Sequence, residues 1–366
     1  MSDPLRIGID ARELLGEVTG VGRYLGELIT RWIRRADADS RRFILYAPQA
    51  LDLVLPRQSA EFRVVPGGTG TWWEQTALRR AVREDKPHVF FAPAYTAPLF
   101  LGIPFAVTIH DVSFLAHPEW FRPRERWRRR ILANRMAASA SLIFTDSEFS
   151  RSEIASLLHV DANRLKVIPP GVSQVPGTAH ADVSQPRDPL VLFVGTLLNR
   201  RNLPELIAAF AKAATATPAA RLVIVGADRT WPPQDLKQAA AAYDVASRVE
   251  IRSYLPHEQL RDHYSRASVF VFLSEYEGFG LTPLEALAAG APIVVLDTPI
   301  AREVYGDAAE FVGVGDIDST ANAIARFLGS RAAARDQLAR APAVLARYSW
   351  DRAADETLHH LEGIGR

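Results

Sequence analysis

Glu277 and Glu285 stand with seven residues between them in SEYEGFGLTPLEALAAGAP, the stretch Ser274–Pro292, and Gly278 and Gly280 lie in the interval. The apolar, β-branched run Val269–Ser274 before them reads as a buried parallel strand, so the glycines mark a strand end. Thr282 then reads as an N-cap, Pro283 as the first helical position, Glu285 as the closing member of a Thr-x-x-Glu capping box and Gly290 as the helix stop. The backbone N–H groups of Leu281, Thr282 and Leu284 would face the loop, where a helix start after a strand binds anions. The two carboxylates can converge on one ligand there. Their plainer reading is a cap for Glu285 and a solvated loop carboxylate for Glu277.

A second loop carries complementary chemistry. VGTLLNRRN, Val194–Asn202, is a strand end followed by Arg200 and Arg201, whose planar guanidinium groups suit a diphosphate; the alternative is a solvated charge pair. In TIHDVSFLAHPEWF, Thr108–Phe121, His110 and Asp111 fall at another strand end, a placement that suits a site residue or a structural histidine. No nucleophile or metal partner for His110 is visible in the sequence. No pair among the nine histidines has a zincin spacing, so no metal site is expected. TGVGRY, Thr19–Tyr24, sets Gly20 and Gly22 ahead of a helix, too far from the preceding strand for a dinucleotide fingerprint; they allow either a close backbone approach to a ligand or an ordinary turn. RPRERWRRRILANR, Arg122–Arg135, places Trp127, Ile131 and Leu132 on one helical stripe among arginines, suited to anionic headgroups, an anionic acceptor or plain solvation.

The elements that must position these groups follow from the apolar pattern. With 366 residues, two domains are expected. Short apolar runs at Leu5–Ile9, Phe43–Ala47, Phe62–Val65, His88–Ala92, Pro104–His110, Leu142–Ser147 and Lys166–Ile168 alternate with helical segments, which is βαβ organisation. A polar, proline-bearing stretch, Gly177–Pro189, reads as a linker. A second series of five strands then starts at Val191, Arg221, Val249, Val269 and Pro292, and an amphipathic helix ends the chain from Trp350. Expected domains are residues 1–176 and 190–348, with a linker at 177–189 and a helix at 349–366 packing back on the first domain.

Composition narrows the class. The absence of cysteine removes disulfides, thiolate metal sites and cysteine nucleophiles and suits a reducing compartment, so the cytoplasm is the default location. No apolar run reaches bilayer length and the N-terminal run is too short for a signal peptide. Residues 1–170 carry 24 basic and 19 acidic side chains, a net +5, against 19 and 23, a net −4, in the remainder. The basic half therefore suits an anionic surface or partner. No nucleic-acid partner is expected.

Taken together, TGVGRY, WWEQ from Trp72, TIHD from Thr108, TDSEFSR from Thr145, VIPPGV from Val167, VGTLLNRRN and EGFGLTPLEALAAGAPIV from Glu277 resemble, in order and spacing, the retaining GT-B glycosyltransferases of the Glu-x7-Glu family, family 4 of the group 1 type. The resemblance covers nearly the whole chain. It implies two Rossmann-like doubly wound parallel-sheet domains with an interdomain cleft, and metal-independent transfer of a hexose with retention from a nucleotide-diphosphate sugar. By this resemblance Glu277 contacts the donor sugar, Glu285 the ribose, and the backbone of Phe279, Gly280, Leu281 and Thr282 the phosphates. Arg200 and Arg201 match the pair that neutralises the diphosphate, His110 the histidine near the transferred sugar, and Gly20 and Gly22 the glycines near donor and acceptor. Asn199 departs from a frequent proline and Arg201 from the usual lysine. No cofactor is implied beyond the nucleotide-sugar co-substrate, with GDP favoured over UDP because the subgroup resembles mannosyltransferases of bacterial polysaccharide assembly. The acceptor would be a glycan or a lipid-linked glycan, with peripheral contact at the inner membrane face. The alternatives are a nucleotide-sugar epimerase on the same fold and a non-catalytic nucleotide-sugar-binding protein.

Overall fold

The computed structural model describes residues 3–16, 19–35, 40–51, 59–172 and 187–366. The chain forms two compact units: Met1–Pro118, Pro123–Gly171 and Ser349–Arg366 make the first, Glu119–Arg122 and Val172–Tyr348 the second. Most of the expected linker, residues 177–186, lies outside the described residues. Its last three positions do not: Arg187 is held by the carbonyls of Tyr264, Ala267 and Ala289, and Asp188 and Pro189 already open a strand, because Asp188 pairs with Ala267 and its carboxylate takes Arg266 at 2.5 Å.

The first unit holds a seven-stranded sheet of β1 (Leu5–Asp10), β2 (Arg41–Ala47), β3 (Ala60–Val64), β4 (Val89–Ala92), β5 (Phe105–Thr108), β6 (Leu142–Thr145) and β7 (Leu165–Val167). Their order is β3-β2-β1-β4-β5-β6-β7, all parallel. β4 and β5 are buried at every position, which is why they read as unbroken apolar runs. The second unit repeats the scheme with β8 (Asp188–Val194), β9 (Arg221–Val225), β10 (Val249–Arg252), β11 (Ala267–Phe272), β12 (Ile293–Leu296) and β13 (Ala309–Val312), ordered β10-β9-β8-β11-β12-β13. Both are doubly wound sheets whose order reverses beside the first strand of the unit. β13 has no counterpart in the sequence reading: AEFV is an edge strand with only its last residue buried, so its apolar signal is weak.

The final helix, Trp350–Gly365, buries Trp350, Ala353, Ala354, Thr357, Leu358 and Leu361 in the core of the first unit. It lies along the helix Gly20–Arg34, where Trp32 Nε1 donates to the Ala354 carbonyl at 2.8 Å. Arg31 to Asp351 at 2.6 Å, Arg35 to Asp355 and Arg41 to Glu362 fix the same seam. Among the described residues no helix is long and apolar enough to cross a membrane.

Candidate functional site

In the second unit the loops after β8 and β11 meet, as adjacent strands at a switch point require. A 3₁₀ turn at Asn199–Arg201 ends on Asn202, whose left-handed φ of 50° turns the chain into the helix Leu203–Ala213. Asn202 Nδ2 donates to Glu275 Oε1 at 2.9 Å and to the Leu273 carbonyl at 3.2 Å, and Glu275 N donates to the Arg200 carbonyl at 2.9 Å. The two loops therefore hold one another through backbone and side chain. Asn199 has its own task, accepting from Trp231 N at 2.7 Å and donating to the Pro232 carbonyl at 2.9 Å.

Glu277 sits where these loops converge. Its Oε1 accepts from Arg201 Nε at 3.0 Å, Arg201 Nη2 at 2.9 Å and Ser274 Oγ at 2.8 Å, and Arg200 Nη2 lies 4.0 Å from Oε2. Arg201 Nη1 also donates to the Thr196 carbonyl at 2.7 Å. Two guanidinium groups thus face one carboxylate, all three side chains mostly buried. Trp120 joins them from the short segment Glu119–Arg122: the Arg200 guanidinium lies over its ring at 5.8 Å and its edge meets Tyr276 at 6.3 Å. Sequence reading missed Trp120 because nothing local ties it to a loop 80 positions on.

The helix after Glu277 runs from Leu281 to Ala288, and here the expected capping box is corrected. Gly280, not Thr282, is the N-cap; its φ of 89° brings the chain into the helix two residues sooner, leaving Thr282 and Pro283 inside the first turn with no side-chain cap. A side chain at Gly280 would also strike the Tyr305 hydroxyl, which donates to the Gly280 carbonyl at 2.9 Å. Glu285 is buried and accepts from Tyr264 Oη at 3.1 Å rather than capping the helix. Gly290 does close it, in a Schellman arrangement with Ala291 N donating to Ala286 O and Gly290 N to Leu287 O. Below, half-buried Arg187 donates to the carbonyls of Tyr264, Ala267 and Ala289, the C-terminal ends of the helices His257–Arg266 and Leu281–Ala288, while its partial burial lowers its pKa. Ser274, Glu277, Phe279 and Tyr305 line a narrow pocket with Thr298 and Ala301.

In the first unit His110 follows β5, and it has a partner the sequence did not reveal. His110 Nδ1 lies 2.7 Å from Asp146 Oδ2, after β6, and Nε2 lies 2.9 Å from the Pro93 carbonyl, after β4. A carbonyl only accepts and a carboxylate accepts, so the doubly protonated ring satisfies both contacts. Burial opposes that charge, but Asp146, Pro93 and Asp111 together hold the histidine above its ordinary pKa. The doubly protonated ring would be a cation held between two acceptors rather than a base. Tyr24, from TGVGRY, meets the imidazole edge-on at 5.3 Å, and Ser150 Oγ of TDSEFSR donates to the His110 carbonyl at 3.1 Å. Asp111 accepts from Tyr95 Oη at 3.0 Å and from Ser113 N and Oγ.

The glycines of TGVGRY lie inside the first turn of the helix, which Thr19 caps by accepting from Gly22 N at 3.0 Å. Gly22 is required by its own chain, since a Cβ there would overlap the Glu13 carbonyl; at Gly20 a Cβ would meet only open space. WWEQ contributes buried Glu74, which accepts from Arg12 and from Thr96 Oγ1 at 2.7 Å, while Arg12 also meets Asp10 at 3.0 Å. Burial raises the Asp10 pKa to about 6 against the pull of Arg12.

The described geometry has parallels among known proteins. Residues 18–174 match the family model described as Glycosyltransferase Family 4, and residues 179–342 match that of Glycosyl transferases group 1. The O-antigen chain mannosyltransferase B of Escherichia coli is 28% identical over 296 residues, covering 76% of this chain and 75% of that protein. The GDP-mannose:cellobiosyl-diphosphopolyprenol alpha-mannosyltransferase of Xanthomonas oryzae is 28% identical over 206 residues, covering 56% of this chain and 52% of that protein. The Anabaena HepE structure in complex with UDP and glucose aligns over 98% of this chain and 100% of its own at a TM-score of 0.74 and 19% identity, which is a likeness of fold.

Proposed function

The chain belongs to glycosyltransferase family 4, group 1 type, with the GT-B fold, and from that premise we propose that it transfers a hexose, with retention and without a metal, from a nucleotide-diphosphate sugar bound by the second unit. The observation that carries the reading is the Arg200–Arg201–Glu277 cluster beside the N-terminus of Leu281–Ala288. A diphosphate matches the guanidinium forks better than one carboxylate does, so an incoming donor would take Arg201 from Glu277. Glu277 would then be released toward hydroxyls of the sugar. As the sugar–phosphate bond breaks, charge grows on the diphosphate, and two arginines with a helix N-terminus oppose it where a metal or general acid would otherwise serve. Glu285, fixed by Tyr264, would take the ribose, and the held charge of His110 would favour a hydroxyl or leaving-group oxygen over proton removal.

The donor is proposed as GDP-mannose or a related GDP-hexose, in line with the mannosyltransferase relatives, and the acceptor as a glycan or lipid-linked glycan in polysaccharide assembly. Such an acceptor calls for peripheral contact with the cytoplasmic face of a membrane. The deciding experiment incubates the protein with GDP-mannose and UDP-glucose, with and without chelator, and follows acceptor product and its anomeric configuration by NMR. An α-linked product from GDP-mannose in the presence of chelator is the expected result. Interconversion of the nucleotide sugar without acceptor would instead identify an epimerase, and nucleotide binding with no turnover a binding protein.

A further inference from the structure

Arg187, at the entrance to β8, directs its guanidinium group wholly at backbone. Nη1 donates to the carbonyls of Tyr264 at 3.2 Å and Ala267 at 3.0 Å, and Nη2 to that of Ala289 at 2.8 Å. Among the described residues no carboxylate pairs with it, and burial is the one influence on its lowered pKa. A guanidinium drawn partly out of water without a counter-ion is compensated here by carbonyls at the negative ends of two helices.

Both helices lead to one carboxylate. Ala289, whose carbonyl Arg187 holds, donates its own N–H to the Glu285 carbonyl at 2.9 Å, so the last turn of Leu281–Ala288 runs from the guanidinium to the backbone of Glu285. Tyr264 is the one buried residue of the helix His257–Arg266. Its ring packs on Phe270 of β11 at 5.8 Å between centroids, and its hydroxyl donates to Glu285 Oε2 at 3.1 Å. Arg187 therefore reaches Glu285 by two routes, one through backbone and one through a phenol. Packing alone requires neither group: a phenylalanine opposite a leucine would fill the same space without taking a carboxylate out of water.

We propose that Tyr264 and Arg187 are positioning residues for the donor, which together set the Glu285 carboxylate at the height and rotamer in which it meets the ribose hydroxyls of a nucleoside diphosphate. The inference rests on the reading that Glu285 takes the ribose, and it adds what holds the carboxylate there. Their effect falls on binding rather than on bond breaking, because the ribose is remote from the anomeric carbon. An interaction lost equally from ground state and transition state raises KM and leaves kcat nearly level.

The test is calorimetry of the full chain with GDP and with UDP, each against the analogue whose ribose lacks both hydroxyls. The wild type should prefer the natural ribose of the nucleotide it binds by about 30-fold, and Glu285→Ala should abolish the preference. Tyr264→Phe keeps the ring and loses only the hydroxyl. It should shrink the preference about fivefold, leave affinity for the analogue unchanged, and raise KM for the nucleotide sugar with kcat held. Arg187→Met should act in the same direction, with Arg187→Lys restoring part of the preference. If Tyr264→Phe weakens nucleotide and analogue alike, or neither, the tyrosine only fills the core, and the proposal is overturned while the ribose reading stands. An undiminished preference in Arg187→Met overturns the route through Arg187. If the wild type binds neither nucleotide or shows no preference, or if Glu285→Ala retains it, the ribose reading itself falls and the proposal with it.

Discussion

At the strand ends of the first sheet charges are enclosed: after β1 Arg12 sits between Asp10 and Glu74, and after β5 His110 sits between Asp146, after β6, and the Pro93 carbonyl, after β4. At the switch point of the second, beside β8 and β11, two arginines face one glutamate at the mouth of a helix. The strand order is the same in both units apart from the extra edge strand β7 of the first. The difference teaches that the fold supplies the place and the loops decide the chemistry: one unit encloses its charged groups among partners of its own, the other gathers two guanidinium groups and one carboxylate beside a helix N-terminus, the cluster proposed above to take the diphosphate.

The sharpest way to break this comparison is Arg201→Ala. Removing the guanidinium that both Glu277 and the proposed diphosphate would use should lower kcat/KM by about 100-fold or more, near 3 kcal/mol, with Arg201→Lys recovering part of the loss; steady-state kinetics on the nucleotide sugar read it. Normal turnover in Arg201→Ala would move the donor site away from the second unit.

Gly280→Ala comes next, at roughly 2–3 kcal/mol of stability from urea unfolding, because the left-handed N-cap and the Tyr305 hydroxyl both exclude a Cβ. An unchanged midpoint would show that the helix entrance adapts.

For the enclosed charges, Asp146→Asn should drop the His110 pKa and cost about 1–3 kcal/mol near neutral pH or below. The wild-type histidine is raised in the folded protein, so its contribution is full below the unfolded value of 6.5 and is lost as pH rises through the folded value. Unfolding free energy measured against pH should fall above pH 6.5 in the wild type, and that fall should vanish in the variant. The smallest effect separates the two glycines: Gly20→Ala should change stability by no more than about 1 kcal/mol, whereas Gly22→Ala should cost more because it meets the Glu13 carbonyl. A loss of acceptor transfer in stable Gly20→Ala would place a ligand at that position.

Much of the architecture was legible because the central parallel strands, buried on both faces, write continuous apolar runs. The edge strands β3 and β10, mostly unburied, were read from shorter mixed runs, and the edge strand β13 was not read. The arginine loop and the glutamate loop were legible as strand-to-helix junctions, since that junction has a local signature in glycine, proline and capping residues. The cap itself was misread: a Thr-x-x-Glu pattern and a left-handed glycine two positions earlier compete for the same helix start, and the backbone geometry of Gly280 prevails. His110 was visible only as a histidine at a strand end. Its partner lies 36 positions on, at the end of the neighbouring strand, and no local spacing encodes that.

The sequence by itself determined the two doubly wound sheets, the order of their loops and the residue types at each loop, since these follow from apolar period and from the turn chemistry of short segments. Tertiary structure alone decided which side chains meet: Asp146 with His110, Tyr264 with Glu285 and Arg201 with Glu277. The reason is physical. A strand's burial is written in its own residues, but a polar group's partner depends on which strand ends the sheet brings side by side, and that is fixed only when the whole sheet has closed its order.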